Sequence, residues 1–163
     1  MERVGPAHVL HDDIDTDQII PGEYLNTVPD AKLGEFVLEG YDPEFADQVE
    51  PGDVIVAGEN FGLGSSREAA PIAIRNAGVG AVVAESFARI FYRNAINVGL
   101  PIVVVPGITD HVSEGDEIRV DVAEGVVENV TTGETFDATG LPEDLLEILE
   151  AGGLVEYRKQ QRA

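Results

Sequence analysis

Three short apolar runs between residues 53 and 105 decide the fold: Asp53-Val54-Ile55-Val56-Ala57, Val79-Gly80-Ala81-Val82-Val83-Ala84 and Leu100-Pro101-Ile102-Val103-Val104-Val105. Runs of this length, rich in β-branched residues, are typical of buried strands. The segments between them, Ser66 to Ala77 and Ser86 to about Val98, have helical character, and each is followed by a glycine that can end a helix. A strand–helix–strand–helix–strand order predicts two right-handed crossovers and at least three parallel strands. The sequence therefore predicts an α/β fold with a partly parallel sheet flanked by helices.

The flanking regions add fewer elements. Glu117 to Val122 and Val126 to Val130 alternate apolar and polar residues, which predicts an antiparallel hairpin. Pro142 to Ala151 has the pattern of a short amphipathic helix. At the other end, one short strand is expected near Ala7 to Leu10, followed by a long connection through Asp12 to Thr27. Connections of that length are often functional.

The length and the cysteine content limit the classes of protein to which the chain can belong. A chain of 163 residues is about one domain long, so we expect a single domain over residues 1–163. It has no cysteine, which excludes disulfides, a thiol nucleophile and thiolate ligands for zinc or an iron–sulfur cluster. Its three histidines lack metal-ligand spacing, so we expect no metal site. Because no apolar run approaches the roughly 18 residues that span a bilayer, we expect a soluble, cytoplasmic protein with no membrane partner.

The charge excludes further classes. Asp and Glu number 31 against 10 Lys and Arg, for a net charge of −21. Such a field repels nucleic acid and anionic membranes, so nucleic-acid binding is not expected. Acidic residues spread along the whole chain also fit a halophilic protein whose surface repulsion is screened by salt.

The strongest local signal is the glycine-rich loop Gly58-Glu59-Asn60-Phe61-Gly62-Leu63-Gly64-Ser65-Ser66-Arg67-Glu68. One interpretation is structural: Ser65 and Glu68 have the spacing of a capping box. Pro71 weighs against it, because a proline beyond the first turn would break the helix, so the regular helix could begin nearer Glu68. The loop is not a Walker A sequence, because no Lys follows its last Gly, and the spacing of Gly58, Gly62 and Gly64 does not match the dinucleotide-binding fingerprint.

The second interpretation of this loop is an anion site. Amides at a helix start carry about half a positive charge together, and the Arg67 guanidinium adds a whole charge suited to forked bonding with a carboxylate. The expected ligand is a carboxylate or a phosphate.

The acidic loop His11-Asp12-Asp13-Ile14-Asp15-Thr16-Asp17 places carboxylates at alternate positions, as calcium loops do. Counting from Asp13, however, position six is Gln18 rather than Gly and position twelve is Tyr24 rather than Glu. A calcium loop of this kind is therefore rejected. From the residues alone, the remaining interpretation is a solvated acidic loop.

Three segments together resemble the aconitase superfamily, in particular the small subunits of isopropylmalate dehydratase and homoaconitase and the mobile C-terminal domain of aconitase. They are Asp12-Asp13-Ile14-Asp15-Thr16-Asp17-Gln18-Ile19-Ile20-Pro21, Gly58 through Glu68, and Phe87-Ala88-Arg89-Ile90-Phe91-Tyr92-Arg93-Asn94-Ala95-Ile96-Asn97. The likeness spans roughly residues 8–106 and leaves the last third of the chain uncovered.

The resemblance implies a swivelling β/β/α domain that covers a 4Fe–4S cluster bound by a large-subunit partner, with no cofactor held by this chain. The enzyme is expected to move water between neighbouring carbons of a hydroxy di-acid, as a hydro-lyase that is inactive without the large subunit. By motif, Ser65 is implied as the base that takes the carbon-bound proton. Ser66 and Arg67, beside Gly64, are implied to hold a substrate carboxylate, and Asp17 belongs to the polar shell.

In this family the segment Tyr24-Leu25-Asn26-Thr27 approaches the variable part of the substrate. Relatives that act on homoaconitate tend to have Arg at the place of Asn26, so the neutral Asn26 favours a branched apolar substrate, isopropylmalate, and a role in leucine biosynthesis. A homoaconitate or citramalate specificity stays open, as does a non-catalytic carboxylate-binding module. Arg89 and Arg93 are expected either to pair with the acidic surface or to contact the large subunit.

Overall fold

The computed structural model describes residues 1–65 and 67–162, and in this part of the chain the strands form one seven-stranded mixed sheet of order β4-β3-β2-β1-β5-β6-β7. The strands are β1 (Glu2–Val9), β2 (Val54–Ala57), β3 (Ala81–Ala84), β4 (Ile102–Val104), β5 (Glu117–Asp121), β6 (Val126–Asn129) and β7 (Glu134–Asp137). The α/β prediction is confirmed.

The parallel half of the sheet contains the three strands expected between residues 53 and 105. Strand β3 pairs in parallel with both β2 and β4, and β1 pairs in parallel with β2. Every residue of β2 and β3 is buried. Parallel sheets are usually covered by helices on both faces, and strands buried on both faces are continuous apolar runs, as these are.

Strand β1 joins the two halves of the sheet. Its residues 2–6 pair antiparallel with β5, and its residues 7–9 pair in parallel with β2. The expected strand near Ala7 to Leu10 was therefore too short, because the polar start of β1 is held by a neighbour distant in sequence. The predicted hairpin is confirmed as β5 and β6. Strand β7 was not predicted, since its Glu134-Thr135-Phe136-Asp137 sequence lies largely exposed at the sheet edge and lacks alternation.

The helices are α1 (Thr16–Ile19), α2 (Phe45–Gln48), α3 (Ala69–Asn76), α4 (Arg89–Asn97), α5 (Glu143–Glu150) and α6 (Leu154–Arg162), with 3₁₀ turns at Gly22–Tyr24, Asp30–Phe36 and Ile108–His111. Helix α5 was predicted, whereas α6 was not, because most of its residues are polar and none is buried. Among the described helices none is long and apolar enough to cross a membrane.

Two predicted helix starts were wrong. Helix α3 begins at Ala69 with Glu68 as its N-cap residue, so the start at residue 66 was wrong and the alternative start nearer Glu68 is confirmed. No side chain caps the helix. This start places Pro71 in the first turn, where a proline removes no helical hydrogen bond. Helix α4 begins at Arg89 rather than at Ser86. The Ser86 hydroxyl instead accepts a hydrogen bond from the Asn60 amide at 2.8 Å, so it stabilises a loop and caps no helix.

Candidate functional site

The candidate site lies where the loops that follow β1 and β2 meet. The Gly62 amide donates to the Ile14 carbonyl at 2.7 Å, and the Thr16 amide donates to the Leu63 carbonyl at 2.9 Å. The two loops therefore pair side by side, as two parallel strands do. They lie at the carboxyl ends of parallel strands, where ligands of such sheets usually bind.

The segment before α4 is bonded to the other side of the glycine-rich loop. The Phe61 amide donates to the Ser86 carbonyl at 3.1 Å, and the Ala88 amide donates to the Phe61 carbonyl at 3.0 Å. The Phe61 ring meets the Phe91 ring edge to face, with centroids 5.3 Å apart. All three segments that carried the family resemblance are thus in direct contact.

Two carboxylates of the acidic loop stabilise this arrangement. Asp12 Oδ1 accepts a hydrogen bond from the Glu59 amide at 2.7 Å, and Asp13 Oδ1 accepts one from Asn60 Nδ2 at 3.2 Å. The interpretation of the segment as a merely solvated acidic loop is therefore wrong for these two residues, because their oxygens bond the neighbouring loop.

A third carboxylate, Asp15, begins helix α1. Its Oδ1 accepts from the Gln18 amide at 2.7 Å, and Gln18 Oε1 accepts in turn from the Asp15 amide at 2.9 Å. This reciprocal pair is a capping box. Sequence reasoning expected a capping box at Ser65 and Glu68 as one alternative and missed this one, although Asp15 and Gln18 have the required spacing.

Two glycines of the glycine-rich loop allow neighbouring side chains to pack directly against the loop backbone. Gly62 has φ +84° and Gly64 has φ +110°, a region that favours glycine. A Cβ on Gly62 would collide with the Phe91 ring, and a Cβ on Gly64 would lie 3.1 Å from Thr16 Oγ1.

We expect Gly62→Ala to lower the free energy of unfolding by about 2 to 4 kcal/mol, the sum of about 1 kcal/mol for backbone strain and about 1 to 3 kcal/mol for overpacking against Phe91. The matched control is Gly133→Ala, because Gly133 has φ +83° but open space around it. The control is expected to lose only the strain term, and urea unfolding of both variants measures the difference. Equal losses would show that the Phe91 contact does not constrain the loop.

Ser65 lies exposed at the end of the glycine-rich loop. Its Oγ is 3.4 Å from Oγ1 of Thr16, a residue only 3% exposed. Thr16 was not among the predicted site residues, and its position within the Asp-Thr-Asp motif was the available signal. Because α3 begins only at Ala69, Ser65 lies outside the helix start that was expected to supply positive charge, and the helix dipole acts mainly within the first turn. The predicted carboxylate ligand Ser66 lies outside the described residues.

Arg67 joins the acidic loop to the glycine-rich loop through its side chain. Its Nη1 donates to Asp17 Oδ1 in an ion pair, although the two residues are 50 positions apart. The guanidinium also lies over Gly22, where a Cβ would be 3.4 Å from Nη2. A guanidinium has five N–H donors, so pairing with Asp17 fixes its position and leaves donors for a ligand.

The segment Tyr24 to Thr27 begins two residues after Gly22, the residue over which the Arg67 guanidinium lies. Leu25, Asn26 and Thr27 are exposed, as a substrate-facing segment requires. Tyr24 points the other way: its ring stacks on Phe36 with centroids 4.4 Å apart. This residue anchors the segment, while the next three are presented to solvent.

The Tyr24 hydroxyl donates to Glu39 Oε1 at 3.0 Å. That hydrogen bond, followed by burial, raises the pKa of Tyr24 above its usual value, so the hydroxyl stays protonated as a donor. The second oxygen of Glu39, Oε2, is buried and has no hydrogen-bond partner in the described part of the chain. Sequence reasoning missed Glu39, because nothing in the pattern around it marked a half-buried carboxylate.

The donor set does not fit an iron–sulfur cluster held by this chain. There is no cysteine in the sequence. Within residues 1–65 and 67–162, no group of three histidine or carboxylate side chains is arranged to hold a metal ion. The chemistry available here is an exposed serine hydroxyl beside an anchored guanidinium.

Fold and site together define a class of domain: an α/β domain that presents the loop carrying Ser65 and Arg67 against an Asp-Thr-Asp loop at the carboxyl edge of its parallel strands. The sequence model of the family described as the aconitase C-terminal domain matches residues 23–106.

Individual relatives narrow this class. The 3-isopropylmalate dehydratase small subunit 1 of Methanopyrus kandleri is 59% identical over 157 residues, which cover 96% of this chain and 92% of that protein. The isopropylmalate/citramalate isomerase small subunit of Methanocaldococcus jannaschii is 53% identical over 92% of this chain and 89% of that protein. A crystal structure of 3-isopropylmalate dehydratase from the same organism superimposes with a TM-score of 0.93 at 47% identity, covering 99% of this chain and 96% of that one. The chain belongs to the family of 3-isopropylmalate dehydratase small subunits, within the aconitase C-terminal domain family.

Proposed function

We propose that this chain is the substrate-covering subunit of a 3-isopropylmalate dehydratase, a hydro-lyase that interconverts 2-isopropylmalate and 3-isopropylmalate in leucine biosynthesis. The observation that carries the proposal is the pairing of Arg67 with Asp17 beside the exposed Ser65. This arrangement presents a carboxylate-binding fork and a hydroxyl on the same edge of the sheet.

Ser65 Oγ is proposed to take the carbon-bound proton of the substrate. A serine hydroxyl is a poor base unless donors and positive charge stabilise its alkoxide. Thr16 Oγ1 lies 3.4 Å away and is held in place by its burial, so its hydroxyl is proposed to donate to that alkoxide. Arg67 supplies positive charge and is proposed to bind a substrate carboxylate together with Ser66 and the Gly64 backbone.

The charge of the site supports the need for a partner. Within residues 11–24 and 58–68, Arg67 is the one Lys or Arg in the sequence, and the same two segments contain seven Asp or Glu. A di-acid would be repelled by such a surface unless further positive charge were supplied from outside. We therefore propose that the site is completed by an iron–sulfur large subunit and that this chain is inactive alone.

Asn26 supports isopropylmalate as the substrate, because a neutral exposed residue in the segment beside Gly22 offers no cation for an additional carboxylate. Citramalate is the second candidate. It is favoured by the 53% identity to a subunit named for both isopropylmalate and citramalate.

The experiment is a substrate panel on the chain reconstituted with a cluster-loaded large subunit. We expect the highest kcat/KM with isopropylmalate, measured as formation of the unsaturated intermediate, and no turnover by the isolated chain. Asn26→Arg is expected to shift the preference toward homoaconitate by about tenfold or more through a new charge-assisted hydrogen bond, whereas the neutral control Asn26→Gln is not. Anion binding by the isolated chain without any complex would instead indicate a non-catalytic module.

A further inference from the structure

Helix α4 is divided into a buried side and an exposed side. Phe91, Ala95 and Ile96 are buried, and Phe91 is the residue whose ring packs against Gly62 and Phe61. On the opposite side, Ile90 is 52% exposed, an unusual environment for a large aliphatic side chain.

Two arginines flank this exposed isoleucine. Arg89, Ile90, Arg93 and Asn94 line a shallow depression of about 270 Å³, and these four residues are called here the α4 face. Arg89 and Arg93 are exposed and one helical turn apart.

The two arginines of the α4 face have no ion-pair partner among the residues that the structure describes. In residues 1–65 and 67–162, neither guanidinium has a carboxylate within 4.0 Å, although three other basic residues, Arg67, Arg119 and Lys159, do pair with acids. The sequence left two expectations for Arg89 and Arg93, pairing with the acidic surface or contact with the large subunit. The structure does not support the first. An exposed aliphatic residue between two free arginines has the composition of an interface centre, since arginine is enriched at interfaces and lysine is depleted.

The position of this face favours one partner. Ala88, immediately before α4, donates to Phe61 in the glycine-rich loop, so the first turn of α4 is bonded to the loop that carries Ser65. A subunit that completes the site at Ser65 would therefore lie near the start of α4. A second copy of this chain is disfavoured, because two surfaces of net charge −21 repel each other.

We infer that the α4 face is a docking surface for the large subunit. The large subunit would present acidic side chains to the two arginines and an apolar pocket to Ile90. The inference rests on the proposed function, because it takes the large subunit as the occupant. Docking here would fix the glycine-rich loop relative to the partner's half of the site through the contact of Phe91 with Gly62.

The test is a titration of a fixed amount of cluster-loaded large subunit with increasing small subunit, followed by activity and by direct binding measurements. The double variant Arg89→Glu/Arg93→Glu is expected to raise the Kd by about 100-fold, because the loss of each interface arginine is expected to weaken binding by about tenfold. At saturating small subunit its kcat is expected to match that of the unmodified chain, because neither arginine touches the substrate.

The matched control is Arg158→Glu/Arg162→Glu, which makes the same charge change four residues apart on the exposed helix α6. It is expected to leave the Kd within about threefold. Circular dichroism on all variants separates weak docking from unfolding, and Ile90→Ala provides a second, uncharged variant expected to weaken binding.

Equal Kd values for the two double variants, or a lost kcat with unchanged Kd, would overturn the docking surface while leaving the proposed function in place. Failure of the unmodified chain to form any complex with the large subunit would overturn both.

Discussion

Replacing Ser65 with alanine is expected to lower the kcat of the reconstituted enzyme by about 10³-fold, with little change in KM. A positioned acid–base group contributes about 10² to 10⁴-fold, and Ser65 Oγ is the exposed hydroxyl that the loop presents beside Thr16. The KM should change little, because carboxylate binding is assigned to Arg67 and its neighbours. Steady-state kinetics at saturating large subunit measures both constants.

The control for this variant is Ser113→Ala. Ser113 is also exposed, but it lies in the turn before β5, outside the loops of the site. It is expected to leave both constants unchanged. If Ser65→Ala retained full activity in an intact complex, the proposed base would have to be abandoned.

Replacing Arg67 with alanine is expected to lower kcat/KM by about 10² to 10³-fold, mostly through a higher KM. Charge-assisted hydrogen bonds contribute about 1.5 to 3 kcal/mol each, and a guanidinium fork forms two with a carboxylate. Removal also leaves Asp17 without its cation, so a negative charge remains where the substrate carboxylate should bind. Both effects weaken binding of an anionic substrate.

Arg67→Lys is expected to recover only part of this loss, because an ammonium is a point charge without the planar fork. Arg158→Ala, on the exposed face of α6, is the control for loss of one positive charge and is expected to be neutral. Asp17→Asn should have a smaller effect than Arg67→Ala, since it keeps the cation and loses only its anchor. An unchanged KM in Arg67→Ala would contradict the assignment of Arg67 to substrate binding.

Local patterns predicted those elements whose stability depends on burial of continuous apolar runs. Strands β2, β3 and β4 and the β5–β6 hairpin were found where the pattern placed them. Helix starts were less predictable, because Ser65, Ser66 and Ser86 all have capping chemistry. In the structure the Ser86 hydroxyl bonds a neighbouring loop instead. Competition between local and distant partners for the same hydroxyl is not visible in a sequence.

The family and the main candidates for the site were readable from the sequence, because the Asp-Thr-Asp and Ser-Ser-Arg motifs retain their order and composition. The halophilic character stays a prediction, since the net charge describes a preferred environment and not a site.

Between residues 53 and 105, the sequence by itself determined the parallel α/β core, because apolar runs of strand length separated by helical segments have few other ways to bury their side chains. The absence of cysteine likewise determined that no thiolate chemistry resides in this chain. Only the tertiary structure decided that Asp17 pairs with Arg67, that Thr16 lies beside Ser65, and that Arg89 and Arg93 have no carboxylate within 4.0 Å in the described part of the chain. These contacts join residues up to 50 positions apart, so they depend on which strands are neighbours in the sheet and not on spacing along the chain.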